Sequence, residues 1–368
     1  MIIGAVKEIK IGENRVGLTP HNVNALVKDG HTILVEANAG RNSGFSNEDY
    51  EKAGAKIVEY AQGVYSESDI IAKVKEPQKP EFGLMKENQV LFTYLHLAAE
   101  PDVTKFLLEK KITGIAYETV ELADGSVPLL APMSEVAGRM AVQVGMHYLE
   151  RTNGGSGKLL SGVPGVTPAK VAVIGTGNVG INAAKIAMGI GADVTIVGRS
   201  ADQLKMVDNT FGGRIKTLFS NPYNIEKAVS ESDLLIGGVY LTGASAPKLV
   251  TRQMVKKMQP GSVIVDVAID QGGCIETSKP TTHQNPVYVE EGVIHYCVTN
   301  MPGAVPNTST MALTNATLPY LLKIAKLGVE NAARQDGAVR KGINTYKGML
   351  VNKDVAESLK MRYDELRL

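Results

Sequence analysis

The stretch Lys170–Ser200, KVAVIGTGNVGINAAKIAMGIGADVTIVGRS, decides the fold. Val171–Ile174 is a short apolar run, Ile181–Ile190 is apolar and compatible with a helix, and Asp193–Val197 has the composition of a second strand. Glycines 175, 177 and 180 stand where the first strand would turn into the helix. A GxGxxG spacing alone also occurs in ordinary turns; the flanking strand and helix make it a dinucleotide-binding turn. In such a unit Gly175 allows the tight turn, Gly177 lets backbone approach a pyrophosphate, and Gly180 lets the helix pack closely on the strand. The helix N-terminus then offers unpaired N–H groups and the positive end of its dipole to phosphate. The segment therefore provides a place for a nicotinamide cofactor.

Working outward, strand-like runs recur at Ile215–Phe219, Asp233–Val239, Ser262–Ala268 and Val293–Val298, with helical patterns between most of them. That alternation predicts a doubly wound sheet. Upstream, Ile2–Val6, Thr32–Glu36, Ile70–Val74, Val90–Leu95 and Gly114–Val120 alternate with helical patterns at Asn22–Lys28, Asn47–Ala53 and Asp102–Lys110, which predicts a second set of parallel βαβ units. Pro132-Met133-Ser134 opens a long helical segment to about Glu150, with Ser134 as the expected N-cap. Residues 151–168 are dense in glycine, serine and proline and read as a loop. After Asn307 the pattern turns helical, with a helical tail from Gly337, and these residues are expected to pack back on the first domain. The prediction is an α/β protein of two Rossmann-like doubly wound domains. A nucleotide domain at 130–306 is inserted in a domain made of 1–129 and 307–368, with the active site in the cleft between them.

A chain of 368 residues is long enough for two full cores. With 44% hydrophobic and 21% charged residues and a net charge of +1, nothing favours nucleic acid or an anionic membrane as partner. The two cysteines, Cys274 and Cys297, have neither CxxC spacing nor a Cys/His cluster, which argues against a disulfide framework and against a bound metal. The opening MIIGAVKEIKIGENR lacks the apolar core of a signal peptide, and no later window approaches a membrane span, so a soluble, cytoplasmic protein is expected.

Hydride transfer needs a group to hold the substrate, an acid/base for its proton, and a cofactor placed against both. Four residues qualify. Arg15 lies in GENRVGLTP after the first strand, where open α/β sheets bind ligands. Lys75 ends IIAKVKEP, where Pro77 keeps Glu76 extended, and Lys73 competes with it. His96 closes VLFTYLHLAAEPD at the passage from strand to loop, where an imidazole can reach substrate and serve as an acid or base. Asp270 follows VIVDVAI, in competition with Asp266.

These residues sit in motifs that resemble the L-alanine dehydrogenases of the alanine dehydrogenase and pyridine nucleotide transhydrogenase family, in order and over nearly the whole length. The motifs are MIIGAVKEIKIGENRVGLTP, KVKEP, TYLHLA, PMSEVAGRMA, VIGTGNVG, DVAIDQGG and NMPGAVPNTST with ALTNATLPY. The resemblance implies reversible oxidative deamination of L-alanine to pyruvate and ammonium. It assigns His96 as general acid/base, Asp270 as a second catalytic group for the water and ammonia steps, and Arg15 and Lys75 as holders of the substrate carboxylate and carbonyl oxygen. It places Ser134, Asn178, Val179, Ser220, Val239, Tyr240, Val267, Ala268, Ile269, Asp270, Lys279, Val298, Thr299, Asn300 and Met301 in the cofactor pocket. It also implies a homohexamer, while the inserted-domain layout leads to the expectation that the two domains close over the substrate. Two alternatives remain: a dehydrogenase of another small 2-amino acid, and a nucleotide-binding protein without catalysis, against which the four intact residues argue.

One departure stands out. Where the family ends its second nucleotide strand with an aspartate that binds the adenosine ribose and selects NAD, this chain has Gly198, followed by Arg199 and Ser200, and Gln203 stands where the family often has lysine. A carboxylate there repels a 2′-phosphate, whereas Gly198 leaves room and Arg199 with Ser200 offers a cation and a hydroxyl. NADP, or use of both cofactors, is therefore expected.

Overall fold

The computed structural model describes residues 1–239 and 246–368. They form two compact units, one of Met1–Met133 with Val305–Leu368 and one of Ser134–Ala304, each built on its own sheet.

The first sheet contains β1 (Ile2–Ala5), β2 (Thr32–Glu36), β3 (Lys56–Val58), β4 (Ile70–Ala72), β5 (Val90–Thr93) and β6 (Thr113–Ala116), which pair in parallel in the order β3-β2-β1-β4-β5-β6. The order reverses between β1 and β4, and open α/β sheets bind ligands at such a switch point. Helices cover both faces, so the strands read as continuous apolar runs; Ile70, Ile71 and Ala72 of β4 are wholly buried. The short β3 and the helix Ala61–Glu67 escaped the sequence reading because neither carries a strong period.

The second sheet contains β7 (Lys170–Ile174), β8 (Asp193–Gly198), β9 (Lys216–Phe219), β10 (Leu234–Gly237), β11 (Val263–Asp266), β12 (Val287–Glu290) and β13 (Val293–Tyr296). Its parallel order β9-β8-β7-β10-β11-β13 repeats that of the first sheet and reverses between β7 and β10, while β12 adds an antiparallel edge to β13. Its core includes Ile174, Val197, Leu235, Val255 and Ile264.

Three local expectations are corrected. The long helix runs Ala131–Leu149, so Ser134 lies inside its first turn and does not cap it; Pro132 needs no N–H there and lets the helix start early. The tail is not wholly helical: after the helix Gly337–Gly342 the chain forms β14 (Ile343–Tyr346) and β15 (Met349–Leu350). Lys347 and Gly348, both at positive φ, make a two-residue hairpin turn, and β14 adds antiparallel to β6. The strands ending near Lys75 and Asp270 stop earlier than expected, at Ala72 and Asp266. Among the described residues no helix is long and apolar enough to cross a membrane, and no cluster of His, Cys, Asp and Glu could hold a metal ion.

Candidate active site

In the first unit the loop after β1 carries Arg15, whose guanidinium is 2% exposed. A cation so buried needs a counter-charge, and Glu13 supplies it: Arg15 Nε donates to Glu13 Oε1 at 2.7 Å and Nη2 to Oε2 at 2.5 Å. Burial alone would raise the Glu13 pKa, but the hydrogen bonds and charge of Arg15 bring it down to about 2. Arg15 Nη1 approaches Met133 Sδ at 2.9 Å. The edge of the guanidinium made by Nε and Nη2 thus belongs to Glu13, which alters the simple picture of Arg15 gripping a substrate with that fork.

Lys73 and Lys75 differ in what surrounds each. Lys73 is wholly buried, its ammonium 2.7 Å from Glu81 Oε1 and 3.1 Å from Glu8 Oε2. It belongs to the core. The ammonium of Lys75, just beyond, has no hydrogen-bond partner among the described residues, while its backbone is fixed: its carbonyl accepts from Thr93 Oγ1 at 3.0 Å, and the Val74 N–H donates to Glu8 Oε1 at 2.6 Å. Burial, and next the charge of Arg15, hold the Lys75 pKa below the ordinary lysine value, with Glu13 pulling the other way. Arg15, Glu13 and Lys75 are therefore within electrostatic reach of one another.

His96 follows β5 in the left-handed conformation, φ 49° and ψ 35°. An L-residue holds that shape at a cost, so a partner is required. Glu118, in the 3₁₀ turn Tyr117–Thr119 that follows β6, accepts the His96 N–H at 2.6 Å and the Leu95 N–H at 3.2 Å. The exposed His96 ring stacks on Tyr94 at 5.9 Å between centroids, and the Tyr94 hydroxyl donates to the Leu129 carbonyl. Glu13, Glu118 and Tyr94 were not singled out in the sequence. Glu13 was findable as a carboxylate two residues from a candidate arginine, whereas Glu118 reaches His96 only through the pairing of β5 with β6.

In the second unit Gly175 has φ +112°, and a Cβ there would stand 2.6 Å from the Gly238 carbonyl oxygen, at the switch point between β7 and β10. A Cβ on Gly180 would lie 1.9 Å from the Gly175 carbonyl oxygen, whereas one on Gly177 would meet nothing within 4 Å among the described residues. The helix Asn178–Ile190 has no side-chain cap, so its first N–H groups remain for a ligand. Open space at Gly177 over an uncapped helix end fits a dinucleotide pyrophosphate. Asn178 is exposed and Val179 half-buried beside it.

At the end of β8, Gly198 is buried and Arg199 exposed, and Ser200 caps the helix Ala201–Phe211 by accepting the Gln203 N–H. The Arg199 guanidinium has no partner among the described residues. The space beside Gly198 is not open throughout: a Cβ there would lie 2.4 Å from Thr176 Cγ2. The Ser220 N–H donates to the Gly198 carbonyl at 2.8 Å, joining the ends of β9 and β8.

Asp266 and Asp270 divide as the lysines do. Asp266 is wholly buried and accepts the N–H groups of Ala268, Cys274 and Ile275 at 3.1, 3.0 and 3.3 Å, pinning the loop that follows β11. Asp270, exposed on the 3₁₀ turn Val267–Gln271 with Ala268 and Ile269 buried beneath it, is the one presented. Lys279 is held by Glu290 at 2.7 Å and lies 5.6 Å from the Tyr288 ring centroid, so its ammonium is already engaged. Val298 and Met301 are buried, Thr299 is exposed, and Asn300 turns the chain at φ 59°. Val239 is half-buried after β10, Ser134 sits in the long helix, and Tyr240 lies outside the described residues.

Residues 4–137 match the family profile described as alanine dehydrogenase/PNT, N-terminal domain, and residues 141–353 match its C-terminal domain. The chain is 57% identical to an alanine dehydrogenase of Methanococcus maripaludis over 99% of its own length and 98% of the relative's, and 56% identical to alanine dehydrogenase 2 of Staphylococcus aureus over the same shares. Among solved structures, an L-alanine dehydrogenase superposes with a TM-score of 0.95 at 50% identity, covering 98% of this chain and 99% of that one. With two matched domains in sequence order and more than half of its residues shared with these relatives, the chain belongs to the alanine dehydrogenase/PNT family.

Proposed function

We propose that this chain is an L-alanine dehydrogenase, which deaminates L-alanine to pyruvate and ammonium and runs the reverse reductive amination. The observation that carries this reading is the full-length likeness to alanine dehydrogenases, with the charged groups such a reaction needs all intact in the chain. Bound to the glycine-rich turn, a nicotinamide nucleotide supplies the acceptor for the hydride leaving the substrate Cα.

The unit of Met1–Met133 and Val305–Leu368 is assigned the substrate, and Ser134–Ala304 the nucleotide. Arg15, held by Glu13, takes the substrate carboxylate on its Nη1 and Nη2 edge. Lys75, with no hydrogen-bond partner among the described residues and a lowered pKa, polarises the substrate oxygen of the keto acid and favours loss of the amine proton of the amino acid. His96 moves protons as imine passes to carbinolamine and then to ketone, and Asp270 assists the entry of water and departure of ammonia. The remaining pocket residues named from the sequence complete the nucleotide site.

The nucleotide is assigned as NADP, or both cofactors. Gly198 removes the ribose-binding carboxylate, and the exposure of Arg199, without a partner among the described residues, supports its meeting a 2′-phosphate. A hydrogen bond to a charged group contributes about 1.5–3 kcal/mol, or roughly 10- to 150-fold in affinity. A homohexamer in the cytoplasm, with Cys274 and Cys297 reduced, completes the proposal; sedimentation of the purified protein tests the assembly.

One spectrophotometric panel tests the reaction: alanine, serine, glycine and 2-aminobutyrate, each with NAD and NADP. Fastest turnover of alanine with NADP is expected. Preference for another amino acid, or no turnover with any, removes the assignment, and strong NAD preference removes the NADP part alone.

A further inference from the structure

We infer that Thr176, the residue between Gly175 and Gly177, sets the nucleotide preference of this chain by excluding any side chain at position 198 and orienting Gln203. The inference rests on the NADP reading of Gly198, Arg199 and Ser200 and deepens it.

Thr176 is buried, 5% exposed, although it belongs to the glycine-rich turn. A Cβ built on Gly198 would stand 2.4 Å from its Cγ2 and 2.9 Å from its Oγ1, with Leu204 Cδ2 at 3.1 Å on another side. Real Cβ atoms do not approach so closely, and threonine cannot yield as a long flexible side chain does. Its χ1 is restricted, and turning it away moves Oγ1 out of its 2.6 Å hydrogen bond to Gln203 Oε1 and leaves one heavy atom still facing position 198. The backbone cannot yield easily either, because the Gly175 N–H donates to the Val197 carbonyl at 2.8 Å and ties the turn to the end of β8. A ribose-binding aspartate at 198 is therefore incompatible with Thr176.

The same side chain makes one strong contact: Thr176 Oγ1 donates to Gln203 Oε1 at 2.6 Å. Gln203 is fixed from a second direction, since its N–H donates to Ser200 Oγ. With its carbonyl oxygen taken, the amide NH₂ of Gln203 has no partner among the described residues. It is a donor beside Arg199 and Ser200, and the ligand chemistry that suits such a set is a phosphate ester on the adenosine ribose. Thr176 thus acts on selectivity in two ways, against a carboxylate at 198 and for a donor at 203.

The experiment compares the wild type with Thr176→Val, Thr176→Ser, Gly198→Asp and the double variant Thr176→Gly/Gly198→Asp. Affinities for 2′,5′-ADP and 5′-AMP are measured by calorimetry, together with melting temperatures. Thr176→Val keeps the shape and loses the hydroxyl, so the preference for 2′,5′-ADP should fall about tenfold, while Thr176→Ser retains it. Gly198→Asp should melt several degrees below wild type, and the double variant should regain most of that loss and shift the ratio of affinities at least tenfold toward 5′-AMP. A Gly198→Asp protein that melts with the wild type, or a Thr176→Val protein with an unaltered ratio, overturns the inference. If the wild type binds both probes equally, the NADP reading fails and the donor role of Gln203 with it. The melting comparison then decides the steric exclusion by itself.

Discussion

Glu13 grips Arg15 from two residues away, its carboxylate taking both Nε and Nη2 of a guanidinium that is almost wholly buried. The pair is a local device, since both partners sit in one loop and need no other element to meet. It fixes the arginine before any substrate arrives.

A pH dependence follows. The folded Glu13 pKa, about 2, lies below its ordinary value of 4.5. A depressed carboxylate contributes stability that is fully present above pH 4.5 and is lost as pH falls toward 2. In Glu13→Gln that contribution is absent, so the difference in melting temperature between wild type and variant should shrink steadily over this range. A difference constant with pH would show that Glu13 does not carry it.

The two neighbouring lysines should respond in opposite ways. Replacing Lys73 by Met leaves Glu8 and Glu81 buried without their cation, which costs about 3–5 kcal/mol and should appear as a large drop in melting temperature. Replacing Lys75 by Ala breaks no ion pair among the described residues, so the melting temperature should hold while kcat/KM for pyruvate falls by about two orders of magnitude or more. Loss of stability in Lys75→Ala with activity retained would reverse the assignment.

His96→Ala should abolish turnover, by about 10²- to 10⁴-fold, and leave dinucleotide binding intact. Glu118→Gln acts on the same imidazole through the backbone: it weakens the acceptor for the His96 and Leu95 N–H groups and should lower kcat more than it raises KM. Equal kcat in Glu118→Gln and wild type would restrict Glu118 to a stabilising part.

Gly180→Ala puts a methyl group 1.9 Å from the Gly175 carbonyl oxygen, closer than any contact can relax without moving the turn. The variant should lose NADP and NAD binding together, read by calorimetry, whereas Gly177→Ala, which meets nothing within 4 Å among the described residues, should weaken binding only through contact with the pyrophosphate. Unchanged affinity in Gly180→Ala would remove the turn from the nucleotide site.

Much of the nucleotide unit was legible because its signals are local. The strand, the glycine spacing and the helix of Lys170–Ile190 lie within one short segment, and a buried parallel strand is apolar along its whole length. The hairpin of β14 and β15 was lost because its strands are short and its turn uses a lysine at positive φ, which no sequence pattern announces. The helix over Ser134 began early because a proline in the first turn is as acceptable as a capped start after it.

The sequence by itself determined two doubly wound sheets, the glycine-rich turn between strand and helix, and a short set of charged residues near strand ends. Only the tertiary structure decided which of two like residues is buried against partners and which is left without them. Lys73 and Lys75 differ little as text, as do Asp266 and Asp270. One member of each pair is buried against partners brought in by folding: for Lys73, the carboxylates of Glu8 and Glu81; for Asp266, the N–H groups of Ala268, Cys274 and Ile275. Burying a charge costs free energy that only such partners offset, and whether they are present depends on distance in space, which the order of residues along the chain does not give.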